Sequence, residues 1–174
     1  MNRYYVVNGA PTTGKDTFCS FCQDILTNKK LGRGFVISSV DFVKEVARFC
    51  GWKGDKTPKN RKFLSDLKDL LSDWDNIPNK KIFETIKSLT EQYPYENLFF
   101  FIMIREPENI KQIVNGYGAK AVLIKRDINI KEFSNHADAE VENYNYDLII
   151  QNNGTLDDLY NSANKFILDE YLKF

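Results

Sequence analysis

Histidine is almost missing from this chain: of 174 residues only His136 carries an imidazole. Cysteine is scarce and odd in number, with Cys19, Cys22 and Cys50. That usage suits a reducing compartment. Cys19 and Cys22 form a C-x-x-C, but with one other thiol and one imidazole in the chain they lack partners for zinc or redox chemistry. They read instead as small core residues on a helix. There is no charge excess either. The 24 basic residues balance 24 acidic ones, so no global field draws the chain to nucleic acid or to a membrane, and any anion binding must be local. The longest apolar run, residues 98–104, is far too short for a membrane span. No basic stretch followed by a long apolar one opens the chain, so we expect no secretory signal and a cytoplasmic location. Repeats, low-complexity tracts and signs of a second domain are absent, and the length suits one domain, 1–174, with a substantial core.

What the chain does contain is Gly9-Ala10-Pro11-Thr12-Thr13-Gly14-Lys15-Asp16-Thr17. An apolar run, residues 4–7, precedes it and reads as a short buried strand. Phe18, Phe21, Cys22, Ile25 and Leu26 follow at the spacing of one helix face. Strand, glycine loop, lysine and helix are the context of a phosphate-binding loop. Glycines let consecutive backbone N–H groups turn inward, and with the positive helix end they form an anion cradle. Lys15 adds a full charge. Gly9, Gly14 and Lys15 fit G-x-x-x-x-G-K, but Asp16 stands where a hydroxyl is usual, and the hydroxyl follows at Thr17.

Further along, Gly32 and Gly34 bracket a break, residues 35–39 read as a second strand, and residues 40–43 open a helix reaching about Cys50. Asp41 sits just past that strand, where open parallel sheets place ligands; it also suits the dipole of a helix start. Residues 51–62 hold Lys53, Lys56, Lys59, Arg61 and Lys62 against Asp55, five positive charges to one negative. Such a run is either a solvated loop or a mobile basic segment that meets a phosphorylated substrate. Phe63, Leu64, Leu67, Leu70, Leu71 and Trp74 predict an amphipathic helix, and Pro78 starts another that ends before Pro94. Residues 98–104 are apolar at every position, the pattern of a central strand covered on both faces. Arg105 follows it, facing either the ligand crevice or a surface partner such as Glu106 or Glu108, and Pro107 opens a helix. Residues 121–124 predict a fourth strand ending in Lys125 and Arg126. A short helix is expected over 133–142, with His136 and Asp138. Residues 148–150 predict a fifth strand, and a last helix places Leu156, Leu159, Tyr160, Ala163, Phe166 and Ile167 on one face. Strands alternating with helices argue for a doubly wound α/β fold with right-handed crossovers.

The loop with its Gly14-Lys15-Asp16-Thr17 ending resembles that of bacteriophage deoxynucleoside monophosphate kinases. The stretch Asp147-Leu-Ile-Ile-Gln-Asn-Asn-Gly-Thr-Leu156 resembles the fifth strand and turn of nucleoside monophosphate kinases and dephospho-coenzyme A kinases. The resemblance follows the order of elements along most of the chain and is specific at those two stretches. It implies a three-layer, adenylate-kinase-like P-loop kinase fold with a five-stranded parallel sheet in the order 2-3-1-4-5, a helical substrate-side insertion over about 51–95, and a short lid-like segment over about 127–143. It further implies ATP as donor, Mg²⁺ as cofactor and a small phosphorylated molecule as acceptor. Gly9, Thr12, Thr13, Gly14, Lys15, Asp16 and Thr17 would surround the phosphates, with Asp16 and Thr17 near the metal and Lys15 spanning the β- and γ-phosphates. Asn153 and Gly154 would border the adenine. Asp41, Arg61 and Arg105 would face the acceptor, and Arg126 would stand where lid arginines begin. Lid segments in such kinases carry several arginines, whereas residues 127–143 contain none. Charge neutralisation from that side is then weaker, or comes from Arg61, Arg105 or another chain.

Two functions of different kinds follow. The first is ATP-dependent phosphoryl transfer to a (deoxy)nucleoside monophosphate, with a dephospho-coenzyme A or small-metabolite kinase as the variant in which Asp41 is a base for a hydroxyl acceptor. The second is a nucleotide-binding regulatory protein without turnover.

Overall fold

The computed structural model describes residues 1–55, 57–127 and 141–173, without the side chain of Glu142. The helix expected over 133–142, with His136 and Asp138, falls almost wholly outside the described residues, as does most of the lid-like segment. Five strands, β1 (Asn2–Asn8), β2 (Arg33–Ser38), β3 (Leu98–Met103), β4 (Lys120–Lys125) and β5 (Leu148–Gln151), form one sheet in the order β2-β3-β1-β4-β5. The pairs β1–β3, β1–β4 and β4–β5 are parallel. The described helices are α1 (Lys15–Asn28), α2 (Asp41–Phe49), α3 (Pro58–Asp75), α4 (Ile77–Gln92), α5 (Pro107–Tyr117) and α6 (Leu156–Leu172). This is the expected strand order. No helix among the described residues is long and apolar enough to cross a membrane.

The chain divides into two compact units. The first is residues 1–36 with 93–174, and the second is residues 37–92. In the first unit, alternation along β1 sends Tyr5 and Val7 to one face of the sheet and Tyr4 and Val6 to the other. Tyr5 and Val7 join Phe99, Phe101, Val122 and Ile124 under α1 and α6 in the main core. Cys19 and Cys22 are fully buried there, and burial pushes both thiols well above their ordinary value, so they are packing groups rather than nucleophiles. α5 lies against β1 and β4 on the opposite face. Aromatic rings form a row across that face: Tyr117 to Tyr4 at 4.6 Å, Tyr4 to Phe100 at 5.2 Å, Phe100 to Phe35 at 5.6 Å and Phe35 to Tyr93 at 5.7 Å between centroids. Arg33 caps the row, its guanidinium 4.4 Å from the Tyr93 centroid. β3 is buried at every position except its last, Met103, as its unbroken apolar run requires.

In α6 the apolar face runs through Leu159, Ala163, Phe166 and Ile167. Leu156, assigned to that face from its spacing, is 67% exposed at the first position of the helix. One charged group of α6 is buried among the core residues. Glu170 accepts from Tyr5 Oη at 3.2 Å, Lys120 Nζ at 2.6 Å and Lys173 Nζ at 2.5 Å. Burial pushes its carboxyl up, but the two lysine hydrogen bonds and charges outweigh burial and hold it below the ordinary value.

In the second unit α2, α3 and α4 pack on one another around Val43, Ala47, Ile82 and Ile86. Here the expected boundary is corrected. The basic stretch does not stay irregular to residue 62, since α3 starts at Pro58. Thr57 caps it by accepting from Asn60 N–H, and Pro58 occupies the first turn. Trp52 Nε1 donates to Asp55 O at 3.0 Å and Asn60 Nδ2 donates to Asp55 Oδ1 at 2.6 Å, which folds the preceding loop back onto the helix start. Arg61 is therefore a helical residue, its N–H donating to Thr57 O at 2.9 Å.

Candidate functional site

Because the strands are parallel, their carboxyl ends share one edge, and in the first unit that edge gathers the loop at residues 9–14, Arg105, Arg126 and residues 152–154. The loop leaves β1 after Asn8 and enters α1 at Lys15 through Gly14, which has φ +93° in the left-handed region. No side chain caps α1. The first hydrogen bond into the helix is from Phe18 N–H to Gly14 O at 2.8 Å, and the N–H groups ahead of it form the positive end of the helix.

Two glycines are required here for different reasons. A Cβ on Gly9 would lie 2.6 Å from Ile124 O, which is backbone of a central strand, and 2.6 Å from Thr13 Oγ1. Gly14 needs its positive φ, and a Cβ there would lie 2.5 Å from Asn152 Nδ2. The loop is thus pressed against β4 on one side and against the stretch after β5 on the other.

The braces of this loop include residues that the sequence reading did not select. Asn8 is buried, and its Oδ1 accepts from Gly9 N–H at 2.8 Å. Its Nδ2 donates to Tyr146 Oη at 2.7 Å and to Arg105 O at 3.4 Å, and Tyr146 in turn donates to Val141 O at 2.6 Å. Asn152 is also buried, donating from Nδ2 to Thr13 O at 2.8 Å and from its backbone to Lys125 O at 2.7 Å. The signal for Asn8 was a polar residue closing an apolar strand, and for Asn152 a second asparagine beside the one chosen.

The expected site residues divide accordingly. Thr13 is buried and its hydroxyl donates to Ala10 O at 2.9 Å, so its side chain faces the loop itself. Thr12 is exposed, has φ +65°, and its hydroxyl donates to Pro11 O at 2.6 Å. Lys15 and Thr17 are half-buried and Asp16 is exposed on the first turn of α1. Arg105 is half-buried and Arg126 exposed. Asn153 is exposed, but both ends of its amide engage Asp127, with Oδ1 accepting from the backbone N–H at 2.8 Å and Nδ2 donating to Oδ2 at 2.7 Å. Gly154 lies in the turn into α6, whose start carries a reciprocal cap between Thr155 and Asp158.

Asp41 and Arg61 belong to the second unit. Asp41 Oδ2 accepts from Ser38 N–H at 2.8 Å, and Oδ1 lies 3.8 Å from Lys44 Nζ. The carboxylate thus closes the turn into α2, the local role that its position at a helix start allows.

Among the described residues no group of three or more His, Cys, Asp or Glu side chains converges to hold a metal. Asp16 and Thr17, the residues expected near a metal, lie in the first turn of α1, Asp16 exposed and Thr17 half-buried. One or two protein oxygens completed by phosphate and water suit Mg²⁺, which retains several of its waters.

No family model matches the chain, and no curated protein matches it in sequence. Among solved structures it is similar to an APS kinase of Mycobacterium tuberculosis in complex with AMPPNP and APS, at 11% identity and a TM-score of 0.48, over 99% of this chain and 98% of that one. At that identity and score the similarity assigns nothing to this chain beyond what its own strand order and loop display.

Proposed function

We propose that this chain transfers a phosphoryl group from ATP to a (deoxy)nucleoside monophosphate. The observation that carries the reading is the loop itself. It is a left-handed Gly14 feeding an uncapped helix start, with Lys15 in the first turn, at the carboxyl edge of a parallel sheet. Phosphoryl transfer asks a protein for position and charge more than for a nucleophile. In this reading the backbone N–H groups of the loop cradle the donor phosphates and Lys15 follows the charge of the phosphoryl group in flight. Mg²⁺ supplies charge neutralisation on the phosphates, and Asp16 and Thr17 are the residues that would hold it. Asn8 and Asn152 keep the loop in shape, and Arg105 grips the acceptor phosphate by the paired hydrogen bonds a guanidinium offers. Asp41 and Arg61 are proposed for the acceptor on sequence grounds, and Arg126 for the phosphates.

A coupled assay of ADP release across nucleoside and deoxynucleoside monophosphates, dephospho-coenzyme A and sugar acceptors tests the proposal. Turnover with a monophosphate is expected, and Lys15→Ala should lower it on the order of 10²–10³-fold. Unchanged nucleotide binding and turnover in that variant would refute it. One sequence observation favours a second reading, nucleotide binding without turnover: residues 127–143 hold no arginine. Stabilisation by ATP, together with no ADP release from any acceptor, would select it.

A further inference from the structure

α3 stands out in the second unit because none of its residues is buried. It is amphipathic, yet its apolar stripe lies open: Phe63 is 36% exposed, Leu70 65% and Trp74 75%. With half-buried Leu67 these residues recur at intervals of 4, 3 and 4, the spacing of a helix–helix seam. Leu64 and Leu71, half-buried like Leu67, lie on the adjoining side of the helix.

The charges on α3 are also arranged in an unusual order. Its first residues carry Lys59, Arg61 and Lys62 and no acid, while its second half carries Asp66, Asp69, Asp73 and Asp75, with Lys68 the one base among them. That order runs against the helix's own dipole, which favours acids at the start and bases at the end. Lys62 pairs with Asp66 at 2.7 Å and Asp75 with Lys80, and exposed pairs of this kind contribute little. A basic beginning, an apolar middle and an acidic end form a surface complementary to itself when turned round.

We infer that α3 pairs antiparallel with α3 of a second copy of this chain across a two-fold axis. Phe63 and Leu67 of each copy meet Trp74 and Leu70 of the other. The basic first turns lie against the partner's acidic last turns, and the two helix dipoles oppose. A two-fold contact of this kind uses the same patch twice, so it closes as a dimer and does not propagate. The inference is independent of the catalytic reading.

The test is sedimentation velocity of the full chain over a concentration series, with tryptophan emission read in parallel. A dimer is expected, with a blue shift of Trp74 emission that grows with concentration. Leu70→Glu, at an exposed position and so expected to fold, should weaken association at least about 100-fold, because each dimer loses two apolar contacts. Two further variants decide the geometry. Lys59→Glu/Lys62→Glu and Asp73→Lys/Asp75→Lys should each be monomeric alone and should associate with each other when mixed. A wild-type chain that stays monomeric throughout overturns the inference. A blue shift independent of concentration does so as well, and points to the stripe being covered within one chain. Charge-reversed variants that self-associate as tightly as wild type also overturn it.

Discussion

Replacing Gly14 by alanine tests the construction of the loop at residues 9–14 most directly. Two costs are separable in the structure. Alanine at φ +93° sits in the left-handed region, at about 1–2 kcal/mol. Its Cβ would also come within 2.5 Å of Asn152 Nδ2 and displace the amide from Thr13 O. Losing that bond in a buried setting costs about 1–3 kcal/mol. Gly14→Ala should therefore destabilise the fold by about 2–5 kcal/mol, against a typical total of about 5–15. Asn152→Ala loses the same bond, about 1–3 kcal/mol, together with the packing of its buried amide. In the double variant the bond can be lost only once. The two changes should then fall short of additivity by about 1–3 kcal/mol, well beyond the few tenths expected of independent sites. Urea denaturation of the four proteins supplies the cycle, with nucleotide-induced thermal shifts reporting whether the loop still binds. Additivity within about 0.5 kcal/mol would mean that Asn152 and Gly14 do not meet as described, and the bracing argument would fall.

Arg105→Lys keeps the charge but loses the paired geometry, so kcat/KM for the acceptor should drop by about 10- to 150-fold with ATP affinity nearly intact, as read from initial rates and titration. Asp16→Asn should weaken binding of Mg·ATP more than of metal-free ATP, measured by calorimetry; equal weakening would make Asp16 a purely structural group of the first turn. Glu170, held below the ordinary carboxyl value of 4.5, stabilises the fold above that pH, and this contribution disappears as pH falls through its lowered folded value. Acid denaturation should therefore steepen below about pH 4.5, and Glu170→Gln should remove that part of the slope; an unchanged slope would show the carboxylate to be uninvolved.

How much of this could be read in the sequence differs from element to element. Residues 98–104 announced a doubly covered strand because burial on both faces leaves no polar position, and β3 is that strand. The loop at residues 9–17 was legible because glycine, lysine and helix periodicity are all local signals. Apolar spacing marks α3 only from Phe63 onward, whereas its cap and first turn are carried by Thr57 and Pro58, which are not apolar-periodic. Leu156 has the spacing of the buried face but is exposed, because periodicity does not register how far the packing extends toward a helix end. Asn8 and Asn152 are not legible in the sequence for a deeper reason. Their roles lie in bonds to Gly9, Arg105, Tyr146, Thr13 and Lys125, some of them more than 90 residues away, and no local pattern reports such partners.

The aromatic row across the sheet belongs to a wider segregation of tyrosine from tryptophan. All nine tyrosines, Tyr4, Tyr117 and Tyr93 of the row among them, lie outside residues 37–92, whereas both tryptophans, Trp52 and Trp74, lie inside that span. The two compact units therefore carry different chromophores without any labelling. Tryptophan emission excited at the red edge, beyond tyrosine absorption, reports the helical unit alone, and the exchange protection of backbone amides in β1, β3 and β4 reports the sheet unit. Measurements of the two signals over a temperature series show whether the units unfold as one cooperative body or in sequence. Repeating them with ATP present shows which unit the nucleotide stabilises.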